Sequence, residues 1–136
     1  MGNEKVLVVE DNIIIAITIK SLLQKRGFHV VGTVTSAKDA IDAAQKALPD
    51  LVLMDIVLNG RMDGIQAAEK ITKRRDIPIL FITSQNDSKT RDRLKNVKHV
   101  GILNKPFFEN QLILLVEKAL SGNGKHVENV KVNCVG

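Results

Sequence analysis

Tryptophan and tyrosine are absent from this 136-residue chain, phenylalanine occurs four times, and the one cysteine is Cys134. Each scarcity excludes something. So few rings give no stacking platform for single-stranded nucleic acid. A lone cysteine forms no internal disulfide, which fits a reducing compartment and sets the expectation of a cytoplasmic protein. No apolar run approaches the roughly 18 residues that a bilayer-spanning helix needs. The opening MGNEKVLVV lacks the order of a signal peptide, and Val6 stands where a myristoylation signal has Ser or Thr. No membrane association is therefore expected. His29, His99 and His126 have no ligand-like spacing. The Gly-rich lysine motif of a P-loop is missing, as are internal repeats.

What is present is ordinary in amount. The chain is 44% hydrophobic and 26% charged, which suits one domain around one core. The formal charge of +5 comes from scattered basic residues, so we read it as solvated helix surface and expect no direct binding to nucleic acid. Asn86-Asp87-Ser88 fits a glycosylation pattern, but without a secretory signal it has no consequence.

The order of the stretches is more informative. Apolar runs at Val6–Val9, His29–Val34, Leu51–Met54, Pro78–Ile82 and Val100–Leu103 read as strands. Between them lie helical patterns. Asn12 to Arg26 carries Ile15, Ile19, Leu22 and Leu23 on one face and stops at Gly27. Ser36 reads as the cap of a helix whose stripe is Ala37, Ala40, Ile41, Ala44 and Leu48, ended by Pro49. A short helix carries Ile65, Ala68 and Ile71, a polar one spans Ser88–Lys95, and a final one spans Gln111–Leu120 with Leu112, Leu115, Val116 and Ala119 inward. Residues 121–136 lack helical period and read as a tail or linker. Five strands alternating with five helices predict an α/β fold, a doubly wound parallel sheet covered on both faces.

Polar residues then fall at the carboxyl ends of the strands: Glu10 and Asp11 after the first, Asp55 after the third, Thr83 after the fourth and Lys105 after the fifth. Open α/β sheets bind ligands in the crevice at that edge. If the first and third strands are neighbours, three carboxylates converge there and repel one another unless a cation intervenes, and hard oxygen ligands favour Mg²⁺. Lys105 and Thr83 add a positive charge and a hydroxyl where phosphoryl oxygens can sit. A carboxylate can also accept a phosphoryl group as a mixed anhydride. Taken singly, each residue has a plainer use: Glu10 and Asp11 as helix caps, Asp55 as a turn cap, Lys105 as a surface lysine, Gly60 and Gly64 as turn formers.

With VVEDN (8–12), LVLMDIVLNGRMDGIQAAE (51–69), PILFITSQ (78–85) and NKPF (104–107) in order, the chain resembles the receiver domain of two-component response regulators. The resemblance spans about residues 4–120, so residues 1–120 are expected to form the receiver domain. It implies a flavodoxin-like fold with strand order 2-1-3-4-5 and a switch that takes a phosphoryl group from a histidine kinase or phosphotransfer domain. It makes Asp55 the phosphoacceptor, with Thr83 and Lys105 on the phosphoryl oxygens. Asp11, Asp55 and the Val57 carbonyl would ligate Mg²⁺, and Glu10 would act through a metal-bound water. It also implies a cis bond before Pro106, a monomer or phosphorylation-dependent dimer, and an effector that the sequence does not specify. One departure stands out. Ile102 occupies the place where the family commonly has an aromatic ring that swings behind the threonine.

Two other functions share such a fold. A flavodoxin-like FMN carrier needs a phosphate loop rich in hydroxyls after the first strand, where this chain has EDNII. A small aspartate-nucleophile phosphatase places an Asp-x-Asp pair on the first strand, and none is there.

Overall fold

Val6 to Val9 and Leu51 to Met54 are apolar at every position because each face of these strands is covered, and all eight residues are buried. The structure is a computed structural model and describes residues 3–121. The chain runs β1 (Lys5–Val9), α1 (Ile13–Lys25), β2 (His29–Val34), α2 (Ala37–Ala47), β3 (Leu51–Asp55), α3 (Gly64–Arg74), β4 (Ile79–Thr83), α4 (Ser88–Leu94), β5 (Gly101–Asn104) and α5 (Glu109–Ser121). All pairings are parallel, and the strand order is β2-β1-β3-β4-β5, as the resemblance implied.

Side chains alternate across the sheet and divide the core in two. Leu7, Val9, Val52, Met54, Ile79 and Phe81 meet the Ala40–Ala44 stripe of α2 and Ile65, Ala68 and Ile71 of α3, with Leu94 and Val97 completing that side. Val6, Val8, Leu51, Leu53, Leu80 and Ile82 meet Ile19 and Leu23 of α1 and Leu112, Leu115 and Val116 of α5. Each large aliphatic side chain buried this way contributes about 1.5–3 kcal/mol. That gain lets the same strands carry buried charge at their carboxyl ends.

Local signals set the helix ends. Asn12, Ser36, Asp63 and Asp87 each accept the backbone N–H three residues on. Gly27, at φ +91, turns the chain out of α1. Between Val6 and Leu7 the β1–β2 register slips by one residue, so that Val31 is bulged out of the ladder.

Several expectations need correction. Leu48 does not complete the α2 stripe: the helix ends at Ala47, and Leu48 turns left-handed (φ 49) to stand 42% exposed. Ala16 and Ile113 join the buried faces of α1 and α5, while Ile15 and Leu22 are only half-buried. β3, β4 and β5 each extend one residue further than their apolar runs, because pairing continues through Asp55, Thr83 and Asn104. Ser121 closes α5, and the rest of the expected tail lies outside the described residues.

Candidate functional site

The strand order decides which polar ends meet. β1 and β3 are adjacent, with Val9 opposite Met54, so Glu10, Asp11 and Asp55 emerge side by side. β4 lies next to β3 with Asp55 opposite Ile82, and β5 next to β4 with Thr83 opposite Asn104, which brings Lys105 over the same edge. One carboxylate oxygen from each of Glu10, Asp11 and Asp55 lies within 4.8 Å of the others, and Glu10 and Asp55 are buried. The Lys105–Pro106 bond is cis.

Lys105 reaches across the pocket to both buried acids. Its Nζ stands 2.8 Å from Glu10 Oε1 and 3.2 Å from Asp55 Oδ2. The backbone completes the cradle: Val57 N–H donates to Asp55 Oδ1 at 3.3 Å and Asn12 N–H to Glu10 Oε2 at 3.1 Å. Glu10 Oε1 is buried and meets the Lys105 ammonium as an ion pair off the ideal hydrogen-bond line. Three carboxylates against one ammonium leave excess negative charge in a dry place. Burial, reinforced by the neighbouring Glu10 carboxylate and only partly opposed by Lys105, pushes the Asp55 carboxyl up to about 6. For Lys105, burial works against the charge, yet Glu10 and Asp55 outweigh it and hold the ammonium above its ordinary range. An oxygen-only donor set with surplus negative charge fits a hard metal ion.

Thr83 is buried at the end of β4, where its Oγ1 accepts the Gln85 N–H at 2.9 Å. No hydrogen bond joins Thr83 to Asp55 among the described residues. Val57 places its amide on Asp55 and leaves its side chain 47% exposed at the rim. All the residues singled out in the sequence therefore come to one edge, with Thr83 turned toward its own loop. His29 and His99 lie away from it.

Sequence reasoning missed the role of Gly64. Its φ is not in the left-handed region, so turn geometry is not what requires glycine. A Cβ built there would fall on the Asp55 carbonyl oxygen and 2.9 Å from Ile56 Cα, both backbone atoms. Gly64 N–H also donates to the Ile56 carbonyl at 2.8 Å, closing the loop that starts at Asp55. A glycine directly after a helix-capping aspartate was the available signal.

The family model of the response regulator receiver domain matches residues 6–117. The chain belongs to that family. This receiver domain is 32% identical over 117 residues to the transcriptional regulatory protein PdtaR of Mycobacterium tuberculosis, covering 86% of this chain and 57% of that protein. It is 34% identical over 100 residues to a protein-glutamate methylesterase/protein-glutamine glutaminase of Paramagnetospirillum magneticum, covering 73% of this chain but 28% of the enzyme. Among solved structures it is similar to the signal receiver domain of a modulated diguanylate cyclase from Desulfovibrio desulfuricans G20. There the TM-score is 0.82 and the identity 34%, over 88% of this chain and 94% of that one.

The receiver domain thus spans little more than half the length of the curated relatives it matches first. It is a response regulator signalling domain; the FMN carrier and the phosphatase are not favoured. Among the described residues, no helix is long and apolar enough to cross a membrane.

Proposed function

We propose that the receiver domain takes a phosphoryl group from the phosphohistidine of a sensor histidine kinase or phosphotransfer domain onto Asp55, in a Mg²⁺-dependent step. The observation that carries this reading is the surplus of buried negative charge around Asp55, with Lys105 Nζ shared between Glu10 and Asp55. Asp11, Asp55 and the Val57 carbonyl would hold Mg²⁺, with Glu10 acting through a bound water. The ion supplies charge neutralisation for the phosphoryl oxygens and for the crowded acids.

The chain's own residues do the rest. An Asp55 carboxylate oxygen attacks phosphorus; the new P–O bond forms as the P–N bond to the donor imidazole breaks, and that nitrogen keeps the electron pair. Lys105, released from Asp55 Oδ2, turns its ammonium to a phosphoryl oxygen. Thr83 donates its hydroxyl to another. Positioning and electrostatics suffice for such a transfer. Hydrolysis of the acyl phosphate returns Asp55, so the domain acts as a switch and not as a turnover enzyme on an external substrate. Incubation with Mg²⁺ and acetyl phosphate should add one phosphoryl group by intact mass, and chelation or Asp55→Asn should abolish it. Equal labelling of the Asp55→Asn protein overturns the assignment.

Val57 bears on how long the phosphoryl group survives. Its exposed side chain offers no hydrogen bond to orient an attacking water, whereas Gln85 nearby can give modest help. Slow self-hydrolysis is expected, and Val57→Asn should shorten the half-life of the phosphoprotein several-fold. An unchanged half-life would remove water positioning at this side chain as the limiting factor.

Docking of the phosphodonor falls to α1. Ile13, Ile14 and Ile17 are 63%, 76% and 60% exposed, so packing of Ile13 or Ile17 against α5, the plainer use for them, is not what happens. Apolar anchors inside a polar rim are what interface cores use. Ile14→Asp should slow transfer from the cognate kinase about tenfold or more while leaving labelling by acetyl phosphate unchanged; loss of both would point to a damaged pocket. The reading extends to a cytoplasmic domain over residues 1–120, a tail or linker over 121–136, an unspecified effector, and a monomer that stays single or dimerises on phosphorylation.

A further inference from the structure

Arg93 of α4 and Asp63, the capping residue of α3, form a two-pronged ion pair: Arg93 Nη1 donates to Asp63 Oδ2 at 2.7 Å and Nη2 to Oδ1 at 3.0 Å. The two ends of this bond are anchored very differently. Asp63 is fixed without Arg93, because its side chain accepts the Gln66 N–H at 3.0 Å and its own N–H donates to Gln66 Oε1 at 2.9 Å. The next residue, Gly64, is bound to the Ile56 carbonyl and packed on the backbone of Asp55. Asp63 is therefore a post set in the loop that follows β3.

α4 has no comparable foundation. It is seven residues long, buries only Thr90 and Leu94, and packs more thinly on the sheet than the other four helices. Its exposed face is rich in cations that bond within their own segment: Arg91 to Asn86, Lys95 to Asp92. Within α4, Arg93 is the side chain that ties the helix to the start of α3, in the loop after β3.

The segment before α4 is coupled to Thr83. Gln85 N–H donates to Thr83 Oγ1, and Gln85 Oε1 accepts from Thr90 Oγ1 at 3.4 Å inside α4. A Thr83 hydroxyl that turns toward a phosphoryl group on Asp55 takes the acceptor away from Gln85, and the disturbance passes to Thr90 and α4. A helix tied to the Asp63 post resists that shift.

We infer that the Arg93–Asp63 pair is a clasp that holds α4 in its unphosphorylated position and opposes the rearrangement that phosphorylation of Asp55 requires. The inference rests on the proposed role of Asp55 for its second half only. Opening the clasp frees α4 and favours the phosphorylated arrangement, so it speeds labelling. Both side chains are partly exposed, at 44% and 28%, so the effect is moderate, about two- to fivefold.

A double-mutant cycle tests it, using the full chain as wild type, Arg93→Gln, Asp63→Asn and the pair. Asparagine still caps α3, so Asp63→Asn removes the charge without removing the cap. Amide exchange over 88–97 in the unphosphorylated protein reads the state of α4, and acetyl phosphate labelling with Mg²⁺ reads the opposition. Each single variant should speed exchange there, and labelling by about two- to fivefold, with the double variant no faster than either. Additive effects, or unchanged exchange over 88–97, overturn the clasp. Faster exchange with unchanged labelling overturns its opposition to phosphorylation while the role of Asp55 stands. A wild-type chain that takes no label overturns the role of Asp55 and that opposition together, and exchange over 88–97 then still decides the contact itself.

Discussion

Replacing Asp55 by asparagine will make the metal-free protein more stable at pH 8 while abolishing its phosphorylation. Burial and the Glu10 carboxylate lift the Asp55 carboxyl from its ordinary 3.8 to about 6, so the folded chain holds this proton more tightly than the unfolded chain does. The contribution of the protonated group is fully present below pH 3.8 and is lost as the pH rises through about 6. Over that range the loss is about 1–3 kcal/mol once solvent screening is allowed for. The amide of the Asp55→Asn variant has no charge to bury, and Lys105 keeps its partner in Glu10 at 2.8 Å. Urea unfolding at pH 4 and pH 8 without metal should therefore show the two proteins drawing apart as the pH rises. Added Mg²⁺ should stabilise the wild type strongly at pH 8, much less at pH 5, and the variant weakly at either. A variant that is less stable at pH 8 would mean that the Lys105 contact outweighs the crowding of the acids.

Gly64→Ala carries the second large effect, and its sign runs against helix propensity. In an exposed helix interior the change from glycine to alanine stabilises by about 1 kcal/mol. Here the added methyl meets the Asp55 carbonyl and the Ile56 Cα, neither of which can rotate away, so α3 or the end of β3 has to move. Overpacking of that kind costs about 1–3 kcal/mol, and the backbone that moves is the one carrying the phosphoacceptor. Stability should fall by about 2 kcal/mol, and labelling by acetyl phosphate about tenfold or more, since small displacements of reacting groups are expensive. Thermal unfolding and labelling kinetics on one preparation check both. A variant as stable and as reactive as the wild type would show that the loop after β3 yields freely.

The contrast between the two glycines of that loop shows what a sequence discloses. Gly60 reads as a turn former, and its φ of +104 agrees. Gly64 reads the same way, yet its requirement comes from a backbone that approaches across the fold, which no local pattern encodes. The same division holds elsewhere. Runs such as Leu51–Met54 announce buried strands because their composition reports two covered faces. They cannot announce that pairing continues into Asp55, since hydrogen bonding is indifferent to side chain. Leu48 keeps the helical spacing, but the helix stops one residue earlier. The acids, Thr83 and Lys105 are legible because each follows a strand and strand ends share an edge. The clasp is not, because 30 residues separate Arg93 from Asp63 and both look like ordinary surface charges.

The slip of register between β1 and β2 has a consequence for how these molecules meet one another. β2 is an outer strand, and a straight outer strand would offer its free amides and carbonyls as a template for another chain. The bulge at Val31 bends that template out of line, and the opposite margin, β5, is four residues long. Among the described residues, both borders of the sheet are therefore poor templates for a second copy. At high concentration this chain is thus steered away from fibrillar stacking through its sheet.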